Sequence, residues 1–138
     1  MTMEFMQSLK IAASGLKVQS GRMRVIAENI ANADSTARAP GQDPYRRKVP
    51  TFVSKFDREL GAATVQMGRV ERDRSDFKMR HEPGHPAADA NGYVKYPNVE
   101  SLIESVDMRE AQRSYEANLN IVSATRRMIS RTLDILKA

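Results

Sequence analysis

The chain contains no cysteine and no tryptophan, and aromatic residues make up only 6% of its 138 positions. Without cysteine there are no disulfides, thiolate metal sites or thiol redox chemistry, and the compartment stays open because such a chain suits oxidising and reducing surroundings alike. Long apolar runs are missing too. Nowhere do about eighteen apolar residues follow one another, so no segment is built to cross a bilayer as a helix. Glu4 stands where a secretory leader would be basic, and no long apolar stretch follows it, so a cleaved Sec-type signal is not expected.

Catalytic signatures are equally scarce. There is no P-loop, GxGxxG, HExxH or GxSxG pattern. The only imidazoles, His81 and His85, have no serine or carboxylate placed to activate them. His81, His85 and Asp89 carry ligand-type side chains at regular spacing, but Pro83-Gly84 and Pro86 break any helix that would align them. Asp107 and Glu110 share a helical stretch with Arg109 and Arg113, so ion pairing along a helix accounts for them. The expectation is a protein that is not an enzyme and has no cofactor, no metal and no small-molecule substrate. The net charge of +5 would suit an anionic partner, yet the basic residues are mixed among acidic ones instead of gathered in a block.

What the sequence does have lies at its two ends. From Pro97 to Lys137 apolar residues recur in steps of four and three: Tyr115, Leu119, Val122, then Ile129, Leu133 and Leu136. That spacing predicts one long helix with a coiled-coil seam. Ile121, Ala124, Met128 and Ile135 form a second line beside it, which makes the apolar surface wider than a single helix partner would cover. Asn98 after Pro97 is the expected N-cap. Glu100 and Glu104 suit the positive end of the helix dipole, and Arg126, Arg127, Arg131 and Lys137 the negative end.

At the other end, Met6, Leu9, Ala13, Leu16, Ser20, Met23, Ala27 and Ile30 step through Met3–Ala33 without a break. Gly15 and Gly21 each cost about 1 kcal/mol relative to Ala in a helix, and they leave bare backbone that lets another element approach closely. Asn29 and Asn32 flank the last apolar turn, where Asn in a left-handed conformation would stop the helix near Ala33.

Between the ends, residues 34–50 carry Pro40, Gly41, Pro44 and Pro50 and read as a long irregular connection. Within it, Tyr45-Arg46-Arg47-Lys48 is an aromatic followed by three cations, a salt-bridging arm or a grip for phosphate and bases. Val49–Phe56 and Thr64–Val70 predict two short strands, with Gly61 between them. Glu71–Arg80 mixes charges of both signs and should be exposed. Asn91-Gly92 marks a turn, and Tyr93–Tyr96 a short strand before the final helix.

The predicted fold is mainly α: paired long N- and C-terminal coiled-coil helices with a small β-hairpin and loop insertion between them. Residues 1–33 and 97–138 would form one discontinuous helical domain, and 34–96 the extended, β-rich insertion.

Glu28-Asn29-Ile30-Ala31-Asn32-Ala33 followed by Thr36 resembles the N-terminal signature of bacterial flagellar axial proteins, the rod, hook and hook-associated proteins. Ser114-Tyr115-Glu116-Ala117-Asn118 resembles their C-terminal signature. Pro44–Lys48, Pro83–Pro86, Gly92–Val94, Pro97–Val99 and Val106–Met108 narrow the likeness to the basal-body rod proteins, among them the proximal rod, and it spans essentially the whole chain. Ser35 departs from the commoner threonine-containing versions of the Asn32–Ala37 tract.

The resemblance implies a structural subunit of the periplasmic rod of the flagellum basal body. Such a subunit passes torque toward the hook and is delivered unfolded by the flagellar type III export apparatus, without a cleaved signal. Its partners would be other copies of itself and other flagellar rod proteins, with no nucleic acid. On that reading Leu9, Leu16, Met23 and Ile30 pack against Tyr115, Leu119, Val122, Ile129 and Leu133 in the subunit seam. Asn29, Asn32, Tyr45, Arg46, Arg47 and Asn118 make the contacts at helix ends and loops. A different class of function, a basic module binding nucleic acid or an anionic membrane surface through Arg46, Arg47, Lys48, Arg69, Arg72 and Arg74, would reveal itself by affinity that falls steeply with salt.

Overall fold

A computed structural model describes residues 2–137. The element order is α1 (Thr2–Ala31), β1 (Lys48–Val49), β2 (Phe52–Asp57), β3 (Ala62–Met67), β4 (Glu71–Arg72), β5 (Lys78–His81), β6 (Tyr93–Tyr96) and α2 (Ser101–Lys137). Two long helices thus bracket three two-stranded antiparallel pairs, β1 with β4, β2 with β3 and β5 with β6. Among the described residues no helix is long and apolar enough to cross a membrane.

The chain divides into two compact units. One joins α1 as far as Met23 with Thr51–Arg69 and with α2 from Arg109 onward. Here the helices run in opposite directions: Gly15 lies against the Asn118 side chain, and Arg22 Nη2 reaches Glu110 Oε2 at 3.5 Å. The β2–β3 hairpin, registered from Phe52 opposite Met67 to Asp57 opposite Ala62, rests on another face of α1. Gln7 Nε2 donates to Leu60 O at 2.7 Å, Ser14 Oγ accepts from Val65 N–H at 3.3 Å, and a Cβ on Gly21 would overlap the Met67 sulfur. Both glycines therefore sit where another element comes close, Gly15 under a helix and Gly21 under a strand.

The other unit comprises Arg24–Pro50 and Val70–Met108. Its interior holds Val25, Ile26, Val94, Tyr96 and Val99, with Asn29, Asn98 and Glu104 buried among them. β5 pairs with β6 from Lys78 opposite Tyr96 to His81 opposite Tyr93, and β6 alternates exposed and buried residues as a half-covered strand should. The Glu71–Arg80 stretch, expected only to be exposed, contributes β4 and the start of β5. Its charges hid the strands, because Lys78 and Arg80 pair through backbone groups while their charged ends serve elsewhere, Lys78 on Glu100 at 2.9 Å and Arg80 over the Tyr96 ring.

Three local expectations need correction. The helix-starting position is Glu100, whose carbonyl accepts from Glu104 N–H at 2.9 Å; Asn98, expected to cap, is buried and uses its side chain on loop backbone instead. The first helix ends at Ala31 without a left-handed asparagine, since no described non-glycine residue has positive φ. Asn32 closes the end by donating from Nδ2 to Glu28 O at 2.8 Å.

The third concerns the faces of α1. Its inward line is Ala12, Gly15, Gln19 and Arg22, continued by Ile26 and Asn29 in the second unit, one residue ahead of the apolar heptad read from the sequence. One residue is about 100° of helix rotation. On the predicted line Leu9, Leu16 and Met23 are half-buried and Met6 and Ile30 are exposed. Val18 and Val25 are buried beside this line, but Gly15, Gln19 and Arg22 interrupt the apolar residues of the inward face, so a count of apolar positions scores the neighbouring line higher.

Candidate functional site: a buried polar cluster at the helix ends

The second unit brings the last turn of α1, the strand-like run Tyr45–Lys48, the loop at Asp73–Ser75 and the first turns of α2 onto one set of side chains. Asn29 is the hub. Its Oδ1 accepts from Tyr45 Oη at 2.7 Å and from Lys48 N–H at 3.0 Å, while its Nδ2 donates to Lys48 O at 2.9 Å and lies 3.5 Å from Glu104 Oε2. The amide thereby meets both backbone groups of Lys48 as a neighbouring strand would. Only a side chain with an acceptor and donors on one plane can do this, so aspartate is no substitute.

Glu104 is 1% exposed, and a carboxylate that far from water needs a partner. Arg47 supplies it through Nε, and its other nitrogens reach Asp73 Oδ2 at 3.3 Å and Asp107 Oδ2 at 4.0 Å. The Arg47 backbone N–H donates to Asn98 Oδ1 at 2.8 Å, and Asn98 Nδ2 donates onward to Asp73 O at 3.0 Å and Ser75 Oγ at 3.0 Å. Arg46, on the opposite side of the run, donates to Asp73 O and Ser75 O at 3.0 Å each and stacks over Phe77 at 4.2 Å. Lys48 Nζ holds Glu28 at 2.6 Å.

These surroundings move the titrations in directions that geometry explains. Burial, followed by the nearby charges of Glu28 and Glu104, pushes the Tyr45 hydroxyl up to about 12. Burial, the largest single influence, lowers the basicity of Arg47, but the hydrogen bonds and charges of Glu104 and then Asp73 together outweigh it and raise Arg47 overall. Hydrogen bonds from Ser75, backbone first and hydroxyl second, hold Asp73 below the usual carboxylate range, with Arg47 adding to the effect.

The cluster is therefore a clamp: its acids and bases are spent on one another and on backbone groups. Tyr45, Arg46, Arg47 and Asn29 meet here, as does Asn32 at the edge. Asn118 lies in the other unit, in mid-helix against Gly15. Glu104, Asp73 and Asn98 were missed as members. Glu104 sits 57 residues from Arg47 and reads locally as a dipole charge, so only the tertiary fold reveals the pair. With Arg46 and Arg47 committed to carbonyls and carboxylates, the basic run has little left to offer a phosphate. His81 packs edge-on against Tyr93 at 5.0 Å, His85 Nδ1 accepts from Ala87 N–H at 3.0 Å, and Asp89 Oδ1 accepts from Asn91 and Tyr93 N–H at 2.9 Å each. Among the described residues no three potential ligands converge on a metal position.

Two family models match, one described as the flagella basal body rod protein, over residues 9–39, and one as the C-terminal part of the flagellar basal body rod FlgEFG protein, over residues 90–135. The chain is 55% identical over 129 residues to the flagellar basal-body rod protein FlgC of Agrobacterium fabrum, covering 94% of this chain and 93% of that one. It is 42% identical over 135 residues to FlgC of Salmonella typhimurium, covering 96% and 98%. With FlgC of Bacillus subtilis it shares 38% over 145 aligned residues, covering 94% and 97%. The first family model includes the Asn29 turn, and the second includes Asn98, Glu104 and Asp107.

Proposed function

Because the chain belongs to the FlgC family of flagellar basal-body rod proteins, we propose that it is a structural subunit of the proximal rod. It polymerises through its terminal helices into a helical tube that carries motor torque toward the hook. The observation that carries this reading is end-to-end similarity to rod proteins across 94% of the chain. Supporting it, α2 leaves Leu119, Met128, Leu133, Ile135 and Leu136 between 42% and 77% exposed, more apolar surface than one isolated chain usefully shows to water. Contacts between unlike faces that do not close on themselves generate helical filaments.

In this reading Leu9, Leu16, Met23 and Ile30 on α1, and Tyr115, Leu119, Val122, Ile129 and Leu133 on α2, belong to the seam among subunits of the tube. The clamp around Asn29, Tyr45 and Arg47 fixes where α1 ends and α2 begins, so that both helices enter the tube in register. The partners are further copies of this chain and other rod proteins. The flagellar type III export apparatus delivers it to the periplasmic rod.

The test is complementation of an Agrobacterium fabrum strain lacking its own FlgC. The wild-type chain should restore swimming and appear in purified basal bodies. Leu133→Asp, at a position 51% exposed, should leave the free protein folded yet abolish swimming and incorporation. Normal incorporation of that variant would remove Leu133 from the seam, and failure of the wild-type chain would count against the rod assignment.

A further inference from the structure

We propose that the free edge of β2 pairs with the same edge of a second copy of this chain, giving a two-fold, four-stranded ribbon in the unassembled protein. The inference begins from which backbone groups the hairpin leaves unused. Gly68 N–H donates to Thr51 O at 2.8 Å, so the odd-numbered positions of β2 are the ones hydrogen-bonded to β3 in the register 51 opposite 68. In an antiparallel pair the intervening residues direct their N–H and C=O groups the other way. Those residues are Phe52, Ser54 and Phe56. The matching outer edge of β3 is covered, since Val65 N–H meets Ser14 Oγ of α1 at 3.3 Å. Among the described residues nothing comparable covers β2, whose residues Phe52–Phe56 are all exposed, Phe56 at 64%.

An uncapped strand edge with apolar side chains is a template for another strand. Its sequence selects the occupant. In Phe52-Val53-Ser54-Lys55-Phe56 a phenylalanine stands two residues to each side of Ser54. Antiparallel pairing of two copies centred there sets Ser54 opposite Ser54, and Phe52 of each copy opposite Phe56 of the other. All three facing positions present outward amides, and both aromatic pairs fall on one face, the arrangement in which cross-strand aromatics are favourable. Val53 then lies opposite Lys55, and the two Lys55 side chains meet only diagonally.

Subunits of a polar tube all point one way, so a two-fold pair belongs to the free protein and competes with incorporation. The pairing itself stands on the hairpin alone, and only its restriction to the unassembled protein rests on the rod assignment.

The absence of cysteine from the chain makes the register directly readable. Facing residues of a hydrogen-bonded pair have Cα atoms about 5.5 Å apart, within disulfide reach. Ser54→Cys should therefore form a disulfide-linked dimer under mild oxidation at least ~10-fold faster than Val53→Cys or Lys55→Cys alone. A mixture of the last two should cross-link efficiently, because positions 53 and 55 face each other. Sedimentation of the full-length wild-type protein should show a monomer–dimer equilibrium. Ser54→Pro removes one outward N–H without touching the pairing to β3 and should give monomer, with circular dichroism confirming that the helices persist. The proposal is overturned by a wild-type protein that stays monomeric to about 100 μM, well above the range of specific self-association. It is equally overturned by equal cross-linking rates at 53, 54 and 55, or by a dimer that survives Ser54→Pro, which would place association on another surface.

Discussion

A Cβ on Gly15 would stand 2.7 Å from the amide nitrogen of Asn118, so in the first unit the Asn118 side chain of one helix fills the space beside the bare glycine of the other. The atom in the way is the end of a side chain that can rotate. Gly15→Ala should thus be close to neutral, the gain of about 1 kcal/mol in helix propensity offsetting the displaced asparagine. Gly15→Leu has no such escape and should cost about 2 kcal/mol. Adding Asn118→Ala should return roughly half of that, a coupling that a double-mutant cycle on urea denaturation would measure.

The Arg47–Glu104 pair invites the opposite experiment. Removing one partner leaves a charge without compensation, so Glu104→Ala or Arg47→Ala should each destabilise by about 3 kcal/mol, the lower end for a broken buried pair because Arg47 keeps some solvent. Arg47→Met combined with Glu104→Leu should be far milder than either single change. Additive losses in urea unfolding would show that the two residues act independently.

Tyr45 gives an alkaline signature. Its hydroxyl is raised to about 12, against an ordinary value of 10, so the folded state holds the proton more tightly than the unfolded one. The contribution is fully present below pH 10 and is lost as pH climbs toward 12. Absorbance titration at the phenolate band should show two of the four tyrosines ionising late, Tyr45 and also Tyr96, which is raised by its hydrogen bond to Glu82, and Tyr45→Phe should remove one of these two components.

Asp73 acts at the other end of the scale. Its carboxyl is held below the usual range in the folded state, so its stabilising effect is present above the unfolded value and disappears as pH falls through the folded one. Asp73→Asn keeps an oxygen for Ser75 but no charge for Arg47. The variant should be less stable at neutral pH and should lose less stability than the wild type as the solution is acidified through the carboxylate range, as read from urea midpoints.

Several of these features were legible in the sequence and others were not, for reasons that particular residues make plain. Both helices and the β2–β3 hairpin announce themselves through periodicity, because Leu9, Leu16, Val122 and Ile129 recur at helical steps and Phe52, Val65 and Met67 sit in short β-rich runs bounded by turns. Tyr45, Arg47 and Asn29 stood out as unusual and do meet. Their acceptors did not stand out, since Glu104 and Asp73 look like ordinary surface acids until the chain is folded. The inward face of α1 escaped for a related reason: its apolar Val18, Val25 and Ile26 are interrupted by Gly15, Gln19 and Arg22, while neighbouring Leu16 and Met23 keep an unbroken apolar step.

That small-residue line also dictates what kind of genetic change α1 can survive. Substitutions alter one contact, but deleting a single residue between Gly15 and Arg22 would swing the remainder of the rod-like segment a quarter-turn and more. Arg22 would then lose Glu110 and fall where the bare backbone of Gly21 meets the Met67 sulfur. Length variation among natural versions should accordingly collect in the proline-bearing connection after Ala33, where no phase has to be kept.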